Sequence, residues 1–150
     1  MIKLIKISGF LSVILLCFLS CNTTAQTNKN LSTINSVSVT NTFGRGGTVS
    51  ITATKDSLIS VNNSIATKEI PTKSSKIDIK NWNSIVAGLN LEDIKNTQSG
   101  KSRGYYDGPD EIYEIVTNNK TYTLTNVSDP VKSKQLKNLK VILQKMAAQK

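Results

Sequence analysis

The chain has two cysteines in 150 residues, and both lie in one apolar stretch, "VILLCFLSCNTT" at 13–24. A cysteine thiol can form a disulfide or act as a nucleophile. A disulfide between Cys17 and Cys21 would close a very short loop inside a continuous apolar segment, so we do not expect one. The chemistry of the two thiols must therefore be read from the sequence around them.

The flanking residues are typical of an export signal. Lys3 and Lys6 precede an apolar run at 7–19, which has the length of the apolar core of a signal peptide. The run is too short for a comfortable transmembrane helix of about 20 residues. It ends Phe18-Leu19-Ser20-Cys21 and then becomes polar at Asn22. The segment is predicted to target the chain to the envelope.

This junction resembles the lipobox of bacterial lipoproteins. The resemblance implies a type II signal peptide at 1–20, cleavage before Cys21, and acylation of that residue, whose nucleophilic sulfur takes up diacylglycerol. Ser20 has the small side chain that the peptidase needs, whereas Phe18 departs from the usual aliphatic residue. The alternatives are an ordinary signal peptide and a single N-terminal membrane helix.

On the lipobox interpretation the mature chain is held on a bilayer. Cys17 leaves with the signal peptide and Cys21 carries lipid, which excludes thiol catalysis by the mature protein. Each buried acyl methylene contributes about 0.8 kcal/mol, so several chains anchor a protein durably. Residues 21–32, "CNTTAQTNKNLS", contain little that can be buried and are predicted to form a flexible tether. Residues 33–150 suit a single domain.

The balance of basic and acidic residues indicates which class of partner the chain could bind. Residues 1–20 hold two of the 19 basic residues and none of the 10 acidic ones, which leaves 17 against 10, an excess of +7. Such an excess favours anionic partners, including envelope polymers. Nucleic acid is not expected, because the sequence has no arginine-rich cluster and no basic strand interleaved with aromatic residues.

The sequence has no histidine, which removes the commonest general base and the usual zinc ligands. Carboxylates remain, at Asp107, Asp110, Glu111 and Glu114. They could form a glycosidase-like pair or a calcium site, or simply a solvated turn that leads into an edge strand. We expect the last of these, and therefore no catalytic residue, no metal and no cofactor.

Alternation of Val, Ile and Thr with polar residues predicts strands from residue 32 to residue 70. The "FGRGG" at 43–47 predicts a hairpin turn rather than a phosphate-binding loop, because strand-type sequence follows it. Turns at Lys55-Asp56 and Asn62-Asn63 would complete a four-stranded meander whose last strand is 65–70.

Helical periodicity follows after Asp78, a predicted N-cap. The apolar stripe of this helix is predicted to be Ile79, Trp82, Ile85, Val86 and Leu89, and "NLEDI" at 90–94 is predicted to add a short turn that carries Leu91 and Ile94 inward.

A hairpin and a last helix complete the predicted order. The two-residue turn Asn118-Asn119 pairs Ile115 with Tyr122 and Tyr113 with Leu124 on the core face. Ser128-Asp129-Pro130 caps a C-terminal helix. Its buried stripe is predicted to be Leu136, Leu139, Leu143 and Met146, with Lys134, Lys137, Lys140 and Lys145 pointing away. The predicted fold class is α+β, an antiparallel sheet with the helices on one face.

This layout resembles that of small uncharacterised lipoproteins of the Bacteroidota. The likeness rests on the meander, the tryptophan-bearing helix, the Gly/Asp-rich loop, the "YEI" and "YTL" strands and the leucine-rich last helix. It implies no particular activity. Because Asn22 rather than aspartate follows Cys21, we expect the periplasmic face of the outer membrane.

The loop "SGKSRGYYDGPDE" at 99–111 is the strongest candidate for a binding site. It is longer than a connector needs to be, and tyrosine rings give contact area at a low entropic cost. The predicted binding residues are Lys101, Arg103, Tyr105, Tyr106 and Asp107. The leading hypothesis is a non-catalytic module that binds an envelope protein or an anionic polymer. The alternatives are a structural lipoprotein with no ligand and a carboxylate-based hydrolase acting on envelope glycans.

We predict that Cys21 is the acylated N-terminus of the mature protein. Mass spectrometry of the purified protein should show loss of residues 1–20 and the added mass of three acyl chains. Protease treatment of intact cells should leave the protein uncut. Retention of residues 1–20, or a product with a free Cys21 thiol, would contradict the lipobox interpretation.

Overall fold

The computed structural model of the protein describes residues 33–64, 71–104 and 108–149, except for the side chain of Arg45. The predicted signal peptide, lipidation site and tether lie outside these residues, as does the predicted strand at 65–70. Among the described helices, none combines the length and the apolar character needed to cross a membrane.

Six strands form one antiparallel sheet. In chain order they are β1 (Ile34–Thr42), β2 (Thr48–Thr54), β3 (Ser57–Asn63), β4 (Thr72–Lys76), β5 (Asp110–Thr117) and β6 (Thr121–Thr125). Their order across the sheet is β4-β3-β2-β1-β5-β6. The helices are α1 (Ile79–Ala87), α2 (Leu91–Lys95) and α3 (Lys132–Ala148). Buried residues of all three helices and of one sheet face form one cluster, which confirms the predicted α+β class.

The pairing of β1 with β5 lies near the centre of the sheet and joins the meander to the hairpin. Val37 pairs with Ile115 on one side and with Ala53 on the other, and all three side chains are fully buried. The register shifts between Ile34 and Ser36, which returns Ile34 to the core face, where it is 1% exposed. The shift therefore extends the buried face to the first residue of β1.

The "FGRGG" segment forms the predicted hairpin turn between β1 and β2, with a short 3-10 turn at Gly44–Gly46. Gly47 has a φ of +98°, and a Cβ there would lie 1.9 Å from the carbonyl oxygen of Asn63. Only glycine fits at that position. The predicted turn at Lys55-Asp56 is also present, because β2 ends at Thr54 and β3 begins at Ser57.

The predicted turn at Asn62-Asn63 is wrong. Both residues continue β3, where Asn62 pairs with Val49 and Asn63 with Thr48. Since β2 begins as early as Thr48, it offers backbone partners along the whole of β3, and this ladder prevails over the turn preference of asparagine. The fourth strand is Thr72–Lys76, later in the chain than predicted.

Helices α1 and α2 begin where the sequence indicates. The Asp78 carboxylate accepts a hydrogen bond from the Asn81 N–H at 2.7 Å, and Trp82 is fully buried as predicted. Ile94 on α2 is also buried. Ile79 is an exception, since it is 60% exposed. It is the first residue of α1 and lies at the margin of the apolar stripe, whose buried residues are Trp82, Ile85 and Val86.

The C-terminal hairpin has the predicted register, with Ile115 opposite Tyr122 and Tyr113 opposite Leu124. The Asp129 carboxylate caps the start of α3 by accepting from the N–H groups of Val131 and Lys132. The predicted stripe of Leu136, Leu139 and Leu143 is buried, and Met146 packs against the core. Lys140 was predicted to point away, which is wrong: it flanks the stripe and its ammonium bonds Glu111.

The burial of Ile115 and the exposure of Ile79 predict that their substitutions differ greatly in their effect on the free energy of unfolding. Ile115→Ala removes a fully buried side chain at the sheet centre and should lower the free energy of unfolding by about 2 to 5 kcal/mol. Ile79→Ala, at an exposed position, should change it by about 0.5 kcal/mol or less. Urea unfolding of both variants provides the measurement, and equal losses would refute the assignment of the core face.

Candidate functional site

The pairing of β1 with β5 sets two acidic residues at one end of the sheet. Asp110 pairs with Thr42, and Glu111 pairs with Asn41. Because successive residues of a strand point to opposite faces, the two carboxylates diverge. One side chain meets the loop before β5, and the other meets α3.

Asp110 anchors the loop. Its carboxylate accepts hydrogen bonds from the Ser102 hydroxyl, from the Arg103 backbone N–H at 2.7 Å and from the Asn126 side-chain amide at 2.6 Å. These donors, Ser102 first, hold the pKa of Asp110 below its usual value. Only 9% of the residue is exposed. Asp110 is therefore a charged anchor that ties residues 102–103 to the end of β6.

A second set of contacts fixes the start of the loop. The Gly100 N–H donates to the Thr125 carbonyl at 2.7 Å, and the Asn126 side-chain amide donates to the Lys101 carbonyl at 2.9 Å. A Cβ at Gly100 would lie 2.3 Å from the Asn126 carbonyl oxygen, so the close approach needs glycine. Residues 99–103 consequently lie along the end of β6 in a defined path.

Two of the predicted binding residues, Lys101 and Arg103, belong to this anchored segment, and both are exposed. Tyr105, Tyr106 and Asp107 lie outside the described residues. On either side of them, Gly104 and Gly108 have φ values of +66° and +114°. Lys101 and Arg103 therefore lie on one segment, which hydrogen bonds fix against the end of β6 and which ends at Gly104.

Glu111, one of the four carboxylates considered from the sequence, forms the second half of the site. Its carboxylate accepts hydrogen bonds from the Lys140 ammonium and the Tyr113 hydroxyl, and Lys140 also donates to the Asn41 side-chain oxygen at 3.3 Å. Burial raises the pKa of Glu111, but these two donors outweigh it and the pKa lies below its usual value. The same burial, with the adjacent carboxylate, raises the pKa of Tyr113.

A signal for this arrangement exists in the sequence. Glu111 and Tyr113 are two residues apart on a strand and therefore share a face. Since the sequence predicts that Tyr113 lies on the core face, it also predicts that Glu111 does. The partner Lys140 could not be found in this way, since it lies on α3, which approaches Glu111 only in the tertiary fold.

The predicted acidic cluster does not assemble as one group in the described part of the chain. Glu114 is exposed on the sheet face opposite to Glu111, and Asp110 and Glu111 are each bound to different donors. Among the described residues no group of three His, Cys, Asp or Glu side chains is placed to hold a metal ion. Asp110 and Glu111 instead serve as acceptors that position the loop and α3.

The lowered pKa values predict acid sensitivity. A carboxylate whose pKa is lower in the folded state stabilises the fold above its ordinary pKa, and that stabilisation is lost as the pH falls through the folded value. With ordinary values of 3.8 for Asp110 and 4.5 for Glu111, the melting temperature should fall as the pH drops below that range.

Asp110→Asn tests the contribution of Asp110 to this effect. The variant should melt several degrees lower at neutral pH and lose less stability on acidification, as followed by circular dichroism. Asp56→Asn is the matched control, because its exposed carboxylate accepts no hydrogen bond from the described residues. An unchanged pH profile for Asp110→Asn would show that the carboxylate does not hold the loop.

Comparison with protein-family models gives no match for this chain, and comparison with curated proteins gives none either. The chemistry of the loop, of Asp110 and of Glu111 is therefore the basis on which a function can be assigned.

Proposed function

We propose that this protein is a lipid-anchored cell-envelope protein, whose domain is a non-catalytic binding module on the periplasmic face of the outer membrane. The lipobox-like junction at Cys21 supports the anchor, and the polar segment 21–32 supports a tethered domain. The binding surface is the loop at 99–111, which presents Lys101 and Arg103 to solvent.

The observation that carries the binding role is the anchoring of this loop. A loop that is already held in one conformation loses less entropy when it binds than a mobile one does. Residues 100–103 are held by hydrogen bonds to Thr125, Asn126 and Asp110, yet the cationic side chains of that segment remain exposed.

The ionisation of two of the four candidate carboxylates argues against the hydrolase alternative. A glycosidase needs one carboxylic acid whose pKa is raised, so that it can protonate the leaving group near neutral pH. Asp110 and Glu111 both have lowered pKa values, because each accepts hydrogen bonds from nearby donors. They are therefore ionised near neutral pH and cannot serve as that acid.

The loop tyrosines provide the test of this function. A double variant, Tyr105→Ala with Tyr106→Ala, should abolish crosslinking of the protein to its envelope partner while the melting temperature stays close to that of the unchanged protein. The reason is that the hairpin core is formed by other residues, namely Tyr113, Ile115 and Leu124, which are buried on β5 and β6. In-cell crosslinking, purification and mass spectrometry would measure capture.

Phe43→Ala is the matched control, since Phe43 is an aromatic residue that is 50% exposed outside the loop. It should leave capture intact. A large fall in melting temperature for the double variant would instead show that the tyrosines are core, because two buried aromatic truncations cost about 3 kcal/mol each or more. Equal capture by the double variant and the control would refute the loop as the binding site.

A further inference from the structure

A cleft lies between the anchored loop and α3, on the side of Glu111. It encloses about 360 Å³ and is lined by Asn41, Arg103, Pro109, Val127, Lys137 and Lys140, which we call the cationic cleft. The volume falls in the range of about 300 to 1,000 Å³ that is usual for small-ligand sites. The cleft is thus large enough for one sugar-sized group.

The acidic groups at this cleft are already bonded. Both Asp110 oxygens accept hydrogen bonds, from Ser102 on one and from Arg103 and Asn126 on the other. The Glu111 oxygens accept from Tyr113 and Lys140. Because every carboxylate oxygen faces a donor and Lys140 is ion-paired, a cation entering the cleft would meet ammonium and guanidinium groups before it met a free acceptor.

Two cations at the cleft lack such partners. In the described part of the chain, the Arg103 guanidinium and the Lys137 ammonium make no hydrogen bond and no ion pair. A Cβ at Gly108 would lie 3.8 Å from Cδ of Arg103 and 3.9 Å from its Nη1, so this side chain runs beside Gly108 at the cleft wall. Both positive charges still act on the neighbouring carboxylates, since Arg103 helps to lower the pKa of Asp110 and Lys137 helps to lower that of Glu111. The charged groups of the cleft that remain without a hydrogen bond are therefore cationic donors.

We propose that the cationic cleft binds an acidic glycan, with a carboxylate or phosphate of the sugar held between Arg103 and Lys137. This inference rests on the proposed binding function and names its ligand class. Arginine and lysine form short, charge-assisted hydrogen bonds with such anions. Pro109 and Val127 supply apolar wall for the sugar ring, and the hydroxyl of Ser128 adds a polar contact. A concave site of this size suits one sugar residue better than it suits a bilayer surface.

Titration calorimetry on the purified protein tests the proposal with four probes. They are a trisaccharide of galacturonic acid, glucose 6-phosphate, the neutral trisaccharide of galactose and vesicles of phosphatidylglycerol. One or both acidic sugars should bind, and the neutral trisaccharide should not. Which of the two binds distinguishes a carboxylate from a phosphate ligand. Binding should weaken as salt is raised from low to physiological concentration.

Substitutions inside and outside the cleft distinguish binding in the cleft from a general attraction of anions to a positive surface. Arg103→Ala and Lys137→Ala should each weaken binding about tenfold, the loss expected when one charge-assisted bond is removed. Lys134→Ala, on the same helix as Lys137, is exposed and outside the cleft, and should bind as the unchanged protein does. Circular dichroism would confirm that all three variants are folded.

Three results would overturn the inference. The first is the absence of binding to both acidic sugars. The second is an equal loss in the Lys134→Ala and Lys137→Ala variants, and the third is binding to the vesicles alone. In each of these cases the proposed ligand class is wrong. If crosslinking still shows that the protein captures a partner through Tyr105 and Tyr106, the proposed binding function is retained. If neither partner capture nor sugar binding is observed, the ligand class and the binding function are both refuted.

Discussion

The antiparallel pairing of β1 with β5 is the interaction on which the rest of the structure depends. It joins residues 34–42 to residues 110–117 and so makes one six-stranded sheet from the meander and the hairpin. A two-stranded hairpin is marginally stable by itself in water. When β5 pairs with β1, Tyr113 and Ile115 lie beside Val39 and Val37, and a single apolar face results on which all three helices pack.

The same pairing creates the site. At its far end it sets Asp110 beside Thr42 and Glu111 beside Asn41, and the alternation of the strand sends the two carboxylates to different partners. Asp110 holds the loop, whereas Glu111 meets Lys140 of α3. Two neighbouring residues thus connect the sheet to the loop on one side and to the last helix on the other, which makes the geometry of the cleft a consequence of strand register.

This end of the molecule carries an excess of positive charge, because its acidic groups are bonded internally and several of its basic groups are not. Acidic residues are few and, at the cleft, are bonded internally, while the basic residues are more numerous. Helix α3 carries lysines at 132, 134, 137, 140 and 145 and no acidic residue. Two of them are engaged, since Lys132 donates to the Asn96 carbonyl at 2.7 Å and Lys140 bonds Glu111. The remaining positive charge faces solvent, which favours anionic ligands.

Local features of the fold could be predicted from the sequence because they depend on neighbouring residues. The cap at Asp78, the hairpin register set by Asn118-Asn119 and the buried stripe of α3 are all of this kind. Local preference failed at Asn62 and Asn63, where the long partner strand β2 extended the ladder through two residues that favour turns. Position in the fold, rather than apolar character, likewise decided the exposure of Ile79.

The site was only partly determined by the sequence. The loop was evident from its length, glycines and charges, and Lys101 and Arg103 are exposed on it. The acceptors that hold it, the bond between Lys140 and Glu111 and the cleft beside Lys137 depend on the tertiary structure. The physical reason is that the bonds of Asn126 to the loop and of Lys140 to Glu111 join elements distant in the chain. Their approach is fixed by sheet order and helix packing, which no local pattern of residues encodes.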